Sequence, residues 1–136
     1  MTGSFLCARE AIKRMSTRHG GQGGAIVNLS SIAARIGAPN EYIDYAAAKG
    51  AIDSMTLGLA KELAMDGIRV NAVRPGVIRT EIHASGGEPD RVRRVSQSVP
   101  MGRGGEAEEV ANAILWLASE EASYTSGALL DVAGGR

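Results

Sequence analysis

The strongest constraint on the fold is the placement of two short apolar runs around one long helical segment. Ala25-Ile26-Val27-Asn28-Leu29 is apolar on nearly every residue, the pattern of a parallel strand covered on both faces. Ile68-Arg69-Val70-Asn71-Ala72-Val73 is a second such run, closed by the turn signal Pro75-Gly76. Between them, from about Asp44 to Met65, Ile52, Met55, Leu59 and Leu63 fall on one helix face, and Asp66-Gly67 supplies a carboxyl stop. Two neighbouring strands joined through a helix are parallel, and such a crossover is expected to be right-handed.

The rest of the chain extends the alternation. An amphipathic helix is expected from Gly3 to about Arg18, with Phe5, Ala8, Ile12 and Met15 inward; Gly20 to Gly24 then turn the chain. A loop is expected from Ser30 to Tyr42. Arg79 to Val99 reads as polar, weakly helical and with little reason to be buried. A third helix spans Glu106 to Ser119, with Val110, Ile114 and Leu117 inward, and Ala128 to Val132 forms a third strand. The fold class is therefore α/β, a Rossmann-like, doubly wound parallel sheet. With three strands it reads as one partial domain over residues 1–136. Ligands of such sheets bind beyond the carboxyl ends of the strands, where Ser31 and Pro75-Gly76 both fall.

The long helix carries a second stripe, Ala47, Gly50, Ser54 and Gly58. Glycine weakens a helix interior by about 1 kcal/mol, so this stripe predicts close approach of another element.

Charge and composition exclude several classes. Fifteen basic residues balance fifteen acidic ones, so no net field draws the chain to nucleic acid or to an anionic membrane. Arg91, Arg93 and Arg94 read as a solvated face. No apolar run reaches the roughly 20 residues needed to cross a bilayer. The lone Cys7, read as packed or interfacial, suits a reducing compartment, and the expected location is cytoplasmic. His19 and His83 lack ligand partners and read as surface residues, so no metal site is expected. Trp116, with Ile114, Leu115 and Leu117, reads as core or subunit interface.

The residues richest in chemistry are Tyr45 and Lys49. Four apart on a helix, they share a face in its first turns. A phenol, of reference pKa about 10, is a poor base, but a neighbouring ammonium and the positive end of a helix both favour its ionised form. Such a group can exchange a proton with a substrate oxygen. Tyr42 has Ala46 four residues on, so it is expected to have no cation partner and reads as a lining or packing residue.

Context makes the pair specific. Asn28-Leu29-Ser30-Ser31 precedes it, and Arg69-Val70-Asn71-Ala72-Val73-Arg74-Pro75-Gly76-Val77-Ile78-Arg79-Thr80 and a terminal Gly134-Gly135 follow. In this order, and with Tyr45-Ala46-Ala47-Ala48-Lys49-Gly50-Ala51 at the centre, the chain resembles the short-chain dehydrogenase/reductase family along nearly its whole length. The resemblance implies that Ser31, with Ser30 as the competing candidate, hydrogen-bonds the reacting oxygen. It implies that Tyr45 donates or accepts the proton, and that Lys49 assists Tyr45 and holds the nicotinamide ribose. Pro75, Gly76, Ile78 and Thr80 match the segment against the nicotinamide end of NAD or NADP. The implied reaction is alcohol/ketone interconversion of a small molecule, in a homo-oligomer built through the 2–18 and 44–65 helices.

The family's Thr-Gly-x-x-x-Gly-x-Gly turn and Asn-Ala-Gly segment are not found in these residues. The family's site asparagine falls immediately ahead of Met1, before a motif like Thr2-Gly3-Ser4-Phe5. The amino-terminal dinucleotide-binding half is therefore expected to lie outside the chain, leaving the 136 residues inactive alone. The alternative reading is a fragment that acts only in folding or oligomerisation. Two other glycine clusters do not substitute. Gly102-Arg103-Gly104-Gly105 follows no convincing strand and precedes Glu106, Glu108 and Glu109, which repel a pyrophosphate. Gly20 to Gly24 follows a helix and precedes a strand, the reverse of the required order.

Overall fold

The computed structural model describes residues 2–136. Three strands, β1 (Gly24–Leu29), β2 (Ile68–Pro75) and β5 (Leu129–Val132), form a parallel sheet in the order β1-β2-β5. Gly24 pairs with Ile68, and Ala72 with Leu129. Helix α1 (Thr2–Met15) precedes β1, α3 (Ile43–Glu62) links β1 to β2, and α6 (Ala107–Ala118) precedes β5.

Alternation along the strands covers both faces of the sheet. Ile26, Ile68 and Val70 face α1 and α3, packing with Ile12, Met15, Leu59, Ala60 and Leu63. Val27, Val73 and Leu130 face the other way, onto Val110, Ala113, Ile114 and Leu117 of α6. Val70, Val73 and Leu117 are fully buried. This two-sided covering accounts for the apolar run of β2, where Ile68 and Val70 to Val73 are buried; β1 is only half-buried, and Leu29 at its end is exposed. Asn71 breaks the run yet is fully buried, because its amide donates to the Thr125 carbonyl and accepts from the Ala128 N–H. Arg69 donates to the Leu117 and Ser119 carbonyls, satisfying the carboxyl end of α6.

Several boundaries differ from the sequence expectation. Helix α1 stops at Met15 because Ser16 leaves helical geometry: its hydroxyl accepts from the Arg18 N–H and donates to Asp66 across the fold. A short helix, α2 (Ala33–Ile36), occupies the expected loop after β1. Residues 79–99 are not uniformly exposed. Two short helices, α4 (Ile82–Ser85) and α5 (Arg91–Ser96), form there, and Val95 and Val99 are buried against Val77 with Val92 beside them. The spacing of Val92, Val95 and Val99 is helical, but the surrounding charges mask it. Two-residue strands β3 (Ile78–Arg79) and β4 (Gly105–Glu106) pair in parallel and tie the end of β2 to the start of α6.

Among the described residues nothing approaches the two glycines of the small α3 stripe. A Cβ added at Gly50 or Gly58 would have no atom within 4 Å, so the expected close approach is not made by residues 2–136. Phe5, Leu6 and Ile43 are also exposed, at 54%, 43% and 67%; Phe5 thus departs from its expected inward position. Cys7 is exposed as well. No helix among the described residues is long and apolar enough to cross a membrane.

Candidate active site

A cleft of about 830 Å³ opens at the carboxyl end of the sheet. Ser31, Tyr45, Lys49, Pro75, Gly76, Ile78 and Thr80 all line it. Three segments deliver them. Ser31 follows the last residues of β1; Tyr45 and Lys49 occupy the first two turns of α3; Pro75 ends β2, and Gly76 to Thr80 carry the chain through β3.

Backbone hydrogen bonds fix this arrangement. The Ser30 N–H donates to the Val73 carbonyl at 2.9 Å, and the Ile32 N–H to the Pro75 carbonyl at 3.0 Å, so the loop after β1 continues the sheet register alongside β2. The Gly76 N–H donates to the Val132 carbonyl at 2.9 Å, joining β2 to β5 at the cleft floor. A Cβ at Gly76 would lie 2.9 Å from the Ala133 Cα, a backbone approach only glycine permits without displacement.

The two serines differ in what their hydroxyls do. Ser30 donates to the Lys49 carbonyl at 3.2 Å, which ties the loop to α3. Ser31 accepts from the Ala33 N–H at 3.1 Å, and its own hydroxyl hydrogen has no partner among the described residues. Ser31 is thus the one with a free donor in the cleft. The Lys49 Nζ donates to the Leu29 carbonyl at 2.7 Å and sits 5.7 Å from the centre of the Tyr45 ring. Burial pushes the Lys49 ammonium below its ordinary pKa, and the nearby Asp53 carboxylate opposes that shift. An ammonium has three donors, so two remain for a ligand. Tyr45 is 45% exposed, its ring open to the cleft.

The far wall of the cleft was not legible in sequence. Arg91 departs from the expected solvated face, being largely covered and paired with Glu41 at 2.6 Å, whereas Arg94 stays exposed as expected while bridging Glu41 at 3.0 Å and Glu88 at 2.6 Å. Arg93 is exposed as well, with a long contact to Asp90. Tyr42 does have a cation partner, from another element: the Arg91 guanidinium lies 5.1 Å from its ring centre, and its hydroxyl donates to Glu88 at 3.0 Å. Arg91 and Arg94 hold the Glu41 carboxyl below the usual range, and Arg94 with Tyr42 does the same for Glu88. The hydrogen bond to Glu88 pushes the Tyr42 phenol up. These side chains clasp α5 to the loop before α3. His83, half-buried, contacts the Ile78 carbonyl at 2.8 Å and also lines the cleft. Glu88 lies only three residues before Arg91, a spacing the sequence carries, but Glu41 lies 50 residues from Arg91 and 53 from Arg94 and gives no local signal.

The glycine cluster before α6 serves a structural end. Glu109 pairs with Arg103 at 2.7 Å and accepts from the Glu106 N–H at 2.8 Å, and its carboxyl is held down to about 2. An acidic side chain therefore fills the anion position at that helix terminus.

The family model described as enoyl-(acyl carrier protein) reductase matches residues 1–136. An uncharacterized oxidoreductase, YgfF of Escherichia coli (strain K12), is 64% identical over 136 residues, covering 100% of this chain and 55% of that protein. Among solved structures, a short-chain type dehydrogenase/reductase from Mycobacterium ulcerans superposes with a TM-score of 0.86 at 34% identity, covering 99% of this chain and 48% of the other. The chain belongs to the short-chain dehydrogenase/reductase family. An acetoin dehydrogenase, YohF from Salmonella typhimurium, is a further structural neighbour, with a TM-score of 0.82 at 38% identity over 99% of this chain and 51% of that one. This short-chain dehydrogenase/reductase chain spans about half the length of the curated relatives it matches. The family is one of oxidoreductases with Rossmann-type sheets, and the three-stranded sheet here corresponds to part of such a sheet.

Proposed function

We propose that the parent protein is a NAD- or NADP-dependent oxidoreductase that interconverts a small alcohol and its carbonyl compound, with Tyr45 moving the proton. The observation that carries this reading is the convergence of Ser31, Tyr45, Lys49, Pro75, Gly76, Ile78 and Thr80 on one cleft from three separate segments. Ser31 offers its free hydroxyl to the reacting oxygen and steadies charge that develops there. Tyr45, beside it in the cleft, gives the proton to that oxygen on reduction and takes it on oxidation. The Lys49 ammonium supports Tyr45 from one turn along α3 and has donors left for ribose hydroxyls. A nicotinamide cofactor, when bound, supplies or accepts the hydride.

The donor set fits the nicotinamide end of that cofactor. Pro75, Val77 and Ile78 give the cleft an apolar part, and the Lys49 ammonium and the Ser31 and Tyr45 hydroxyls line the same cleft. No glycine turn among the described residues joins a strand to a helix amino terminus free to take a pyrophosphate, so on this reading residues 2–136 hold only that end. They then need further residues to hold the cofactor firmly enough for turnover. Helices α1 and α3, with exposed Phe5, Ile43 and Leu57, are the surfaces we assign to subunit assembly.

The test uses the full-length protein with NADH and NADPH and a panel of small carbonyl compounds. Tyr45→Phe should lower kcat by about 100-fold or more while leaving cofactor affinity and thermal unfolding unchanged. Turnover that survives the substitution refutes the proton-transfer role.

A further inference from the structure

Tyr45, Lys49 and Asp53 are spaced four residues apart along α3, which places them in line on one helix face. Asp53 is an acid only 9% exposed, on a helix whose other buried residues, Ala46, Ile52, Thr56 and Ala60, carry no charge. A buried carboxylate is retained only where other charges compensate it. One oxygen, Oδ2, lies 3.4 Å from Arg74 Nη1; the other, Oδ1, is buried with no hydrogen-bond partner among the described residues.

Arg74 does not account for Asp53 by itself. Its shortest contact is Nε to Asp131 Oδ1, at 2.6 Å, and Nη2 donates to the Leu129 carbonyl. Asp131 is in turn paired with Arg35 at 2.8 Å. The guanidinium is therefore committed mainly to β5, and the 3.4 Å contact leaves much of the Asp53 charge uncompensated. The remaining cation on the same face is Lys49, half-buried and needing an anion for the same reason. Around Lys49 lie the Tyr45 ring and the Asp53 carboxylate on α3 and the Leu29 carbonyl of β1; Arg74 of β2 reaches Asp53, and Asp131 and Arg35 continue the chain of pairs beyond it.

We infer that Asp53 is a positioning residue that keeps Lys49 protonated beside Tyr45, and that the engagement of Arg74 by Asp131 leaves Asp53 available to Lys49. The role rests on the reading of Lys49 given above, but Asp53 touches neither substrate nor cofactor. Lys49 and Arg74 carry two positive charges, Asp53 and Asp131 two negative ones. Neutralising Asp53 leaves the inner pair of cations facing one anion, so Lys49 gives up its proton more readily. Neutralising Arg74 instead releases Asp53 wholly to Lys49 and acts in the opposite direction.

The experiment is a pH titration of 13Cε-labelled lysine in the full-length protein, with the Lys49 signal assigned from Lys49→Met. Asp53→Asn should move the Lys49 midpoint to lower pH, and Asp53→Glu should return it toward the wild-type position. Arg74→Met should move it to higher pH, and the Asp53→Asn/Arg74→Met double variant should fall between the single variants. The alkaline limit of NADH affinity should shift in the same directions. An unchanged or raised midpoint in folded Asp53→Asn overturns the inference. Should that variant not fold, an unchanged midpoint in Arg74→Met overturns it equally. Because the resonance is read without turnover, activity retained in Tyr45→Phe would refute the proposed chemistry and leave this assignment standing.

Discussion

Gly76→Ala is the substitution in which fold and cleft are most directly opposed. Gly76 does not have a positive φ, so alanine meets no backbone penalty there and the effect is one of contact alone. The added Cβ would lie 2.9 Å from the Ala133 Cα, 3.1 Å from the Ala133 Cβ and 3.3 Å from the Ala133 carbonyl oxygen. Carbon atoms rest at about 3.5–4.0 Å, so at least about half an ångström of separation must be found. Two of the three neighbours are backbone atoms just past β5, which cannot rotate away as a side-chain tip would. Relief must come from parting β2 and β5 where the Gly76 N–H bonds the Val132 carbonyl. Overpacking of this kind costs about 1–3 kcal/mol. Urea unfolding followed by circular dichroism should show a lower midpoint at unchanged m-value, with weakened NADH or NADPH affinity because Pro75 and Gly76 line the cleft. A midpoint within about 0.5 kcal/mol of wild type, with unaltered affinity, would refute the steric reasoning.

The same glycine-to-alanine change at Gly58 should act in the opposite direction. Its Cβ enters open space on α3, so a monomer gains about 1 kcal/mol, and a loss of subunit association by light scattering would show that a partner chain fills that space. Leu117→Ala, at a fully buried position between α6 and the sheet, should cost about 3 kcal/mol in urea unfolding. The clasp between α5 and the loop before α3 should weaken in acid. The Glu41 and Glu88 carboxyls are held below their ordinary range, so their contribution is complete above that range and disappears as pH falls through the folded-state values. Amide protection factors in residues 88–94 should fall over that interval, and Glu41→Gln should produce the fall at neutral pH. Protection that is unchanged in both cases would show that the ion pairs do not hold α5 down.

How far the sequence could be read follows from the range of the forces involved. The three main strands and the helices between them were legible because burial on both faces writes a continuous apolar run at each strand, and periodicity writes the helices. The boundaries were less so. Ser16 ends α1 three residues before the expected stop because its hydroxyl reaches Asp66, 50 residues on, and no local pattern announces that bond. Strands β3 and β4 are two residues each, too short to have a period, and they exist because Ile78 and Gly105 happen to be brought side by side. Val95 and Val99 were hidden for a related reason: three arginines in the same short segment outweighed an apolar spacing that only matters once Val77 is placed opposite.

The cleft divides along the same line. Tyr45 and Lys49 could be nominated from their helical spacing, a local quantity, whereas Ser31 was singled out only by the resemblance of the surrounding segments to the family. Glu41, Glu88 and Arg91 could not, because the work of each is defined by the others and the loops joining them set no register. Asp53 is an intermediate case. Its spacing from Lys49 is as local as that of Tyr45, yet an acid at that position on an otherwise solvated helix face would be an ordinary i,i+4 pair of small effect. What changes its weight is burial together with the commitment of Arg74 to Asp131, and both are properties of the sheet rather than of the helix. The charge that matters to a proton-transfer site is therefore fixed by how completely its neighbours are already paired, a quantity that only the assembled β2–β5–α3 packing determines.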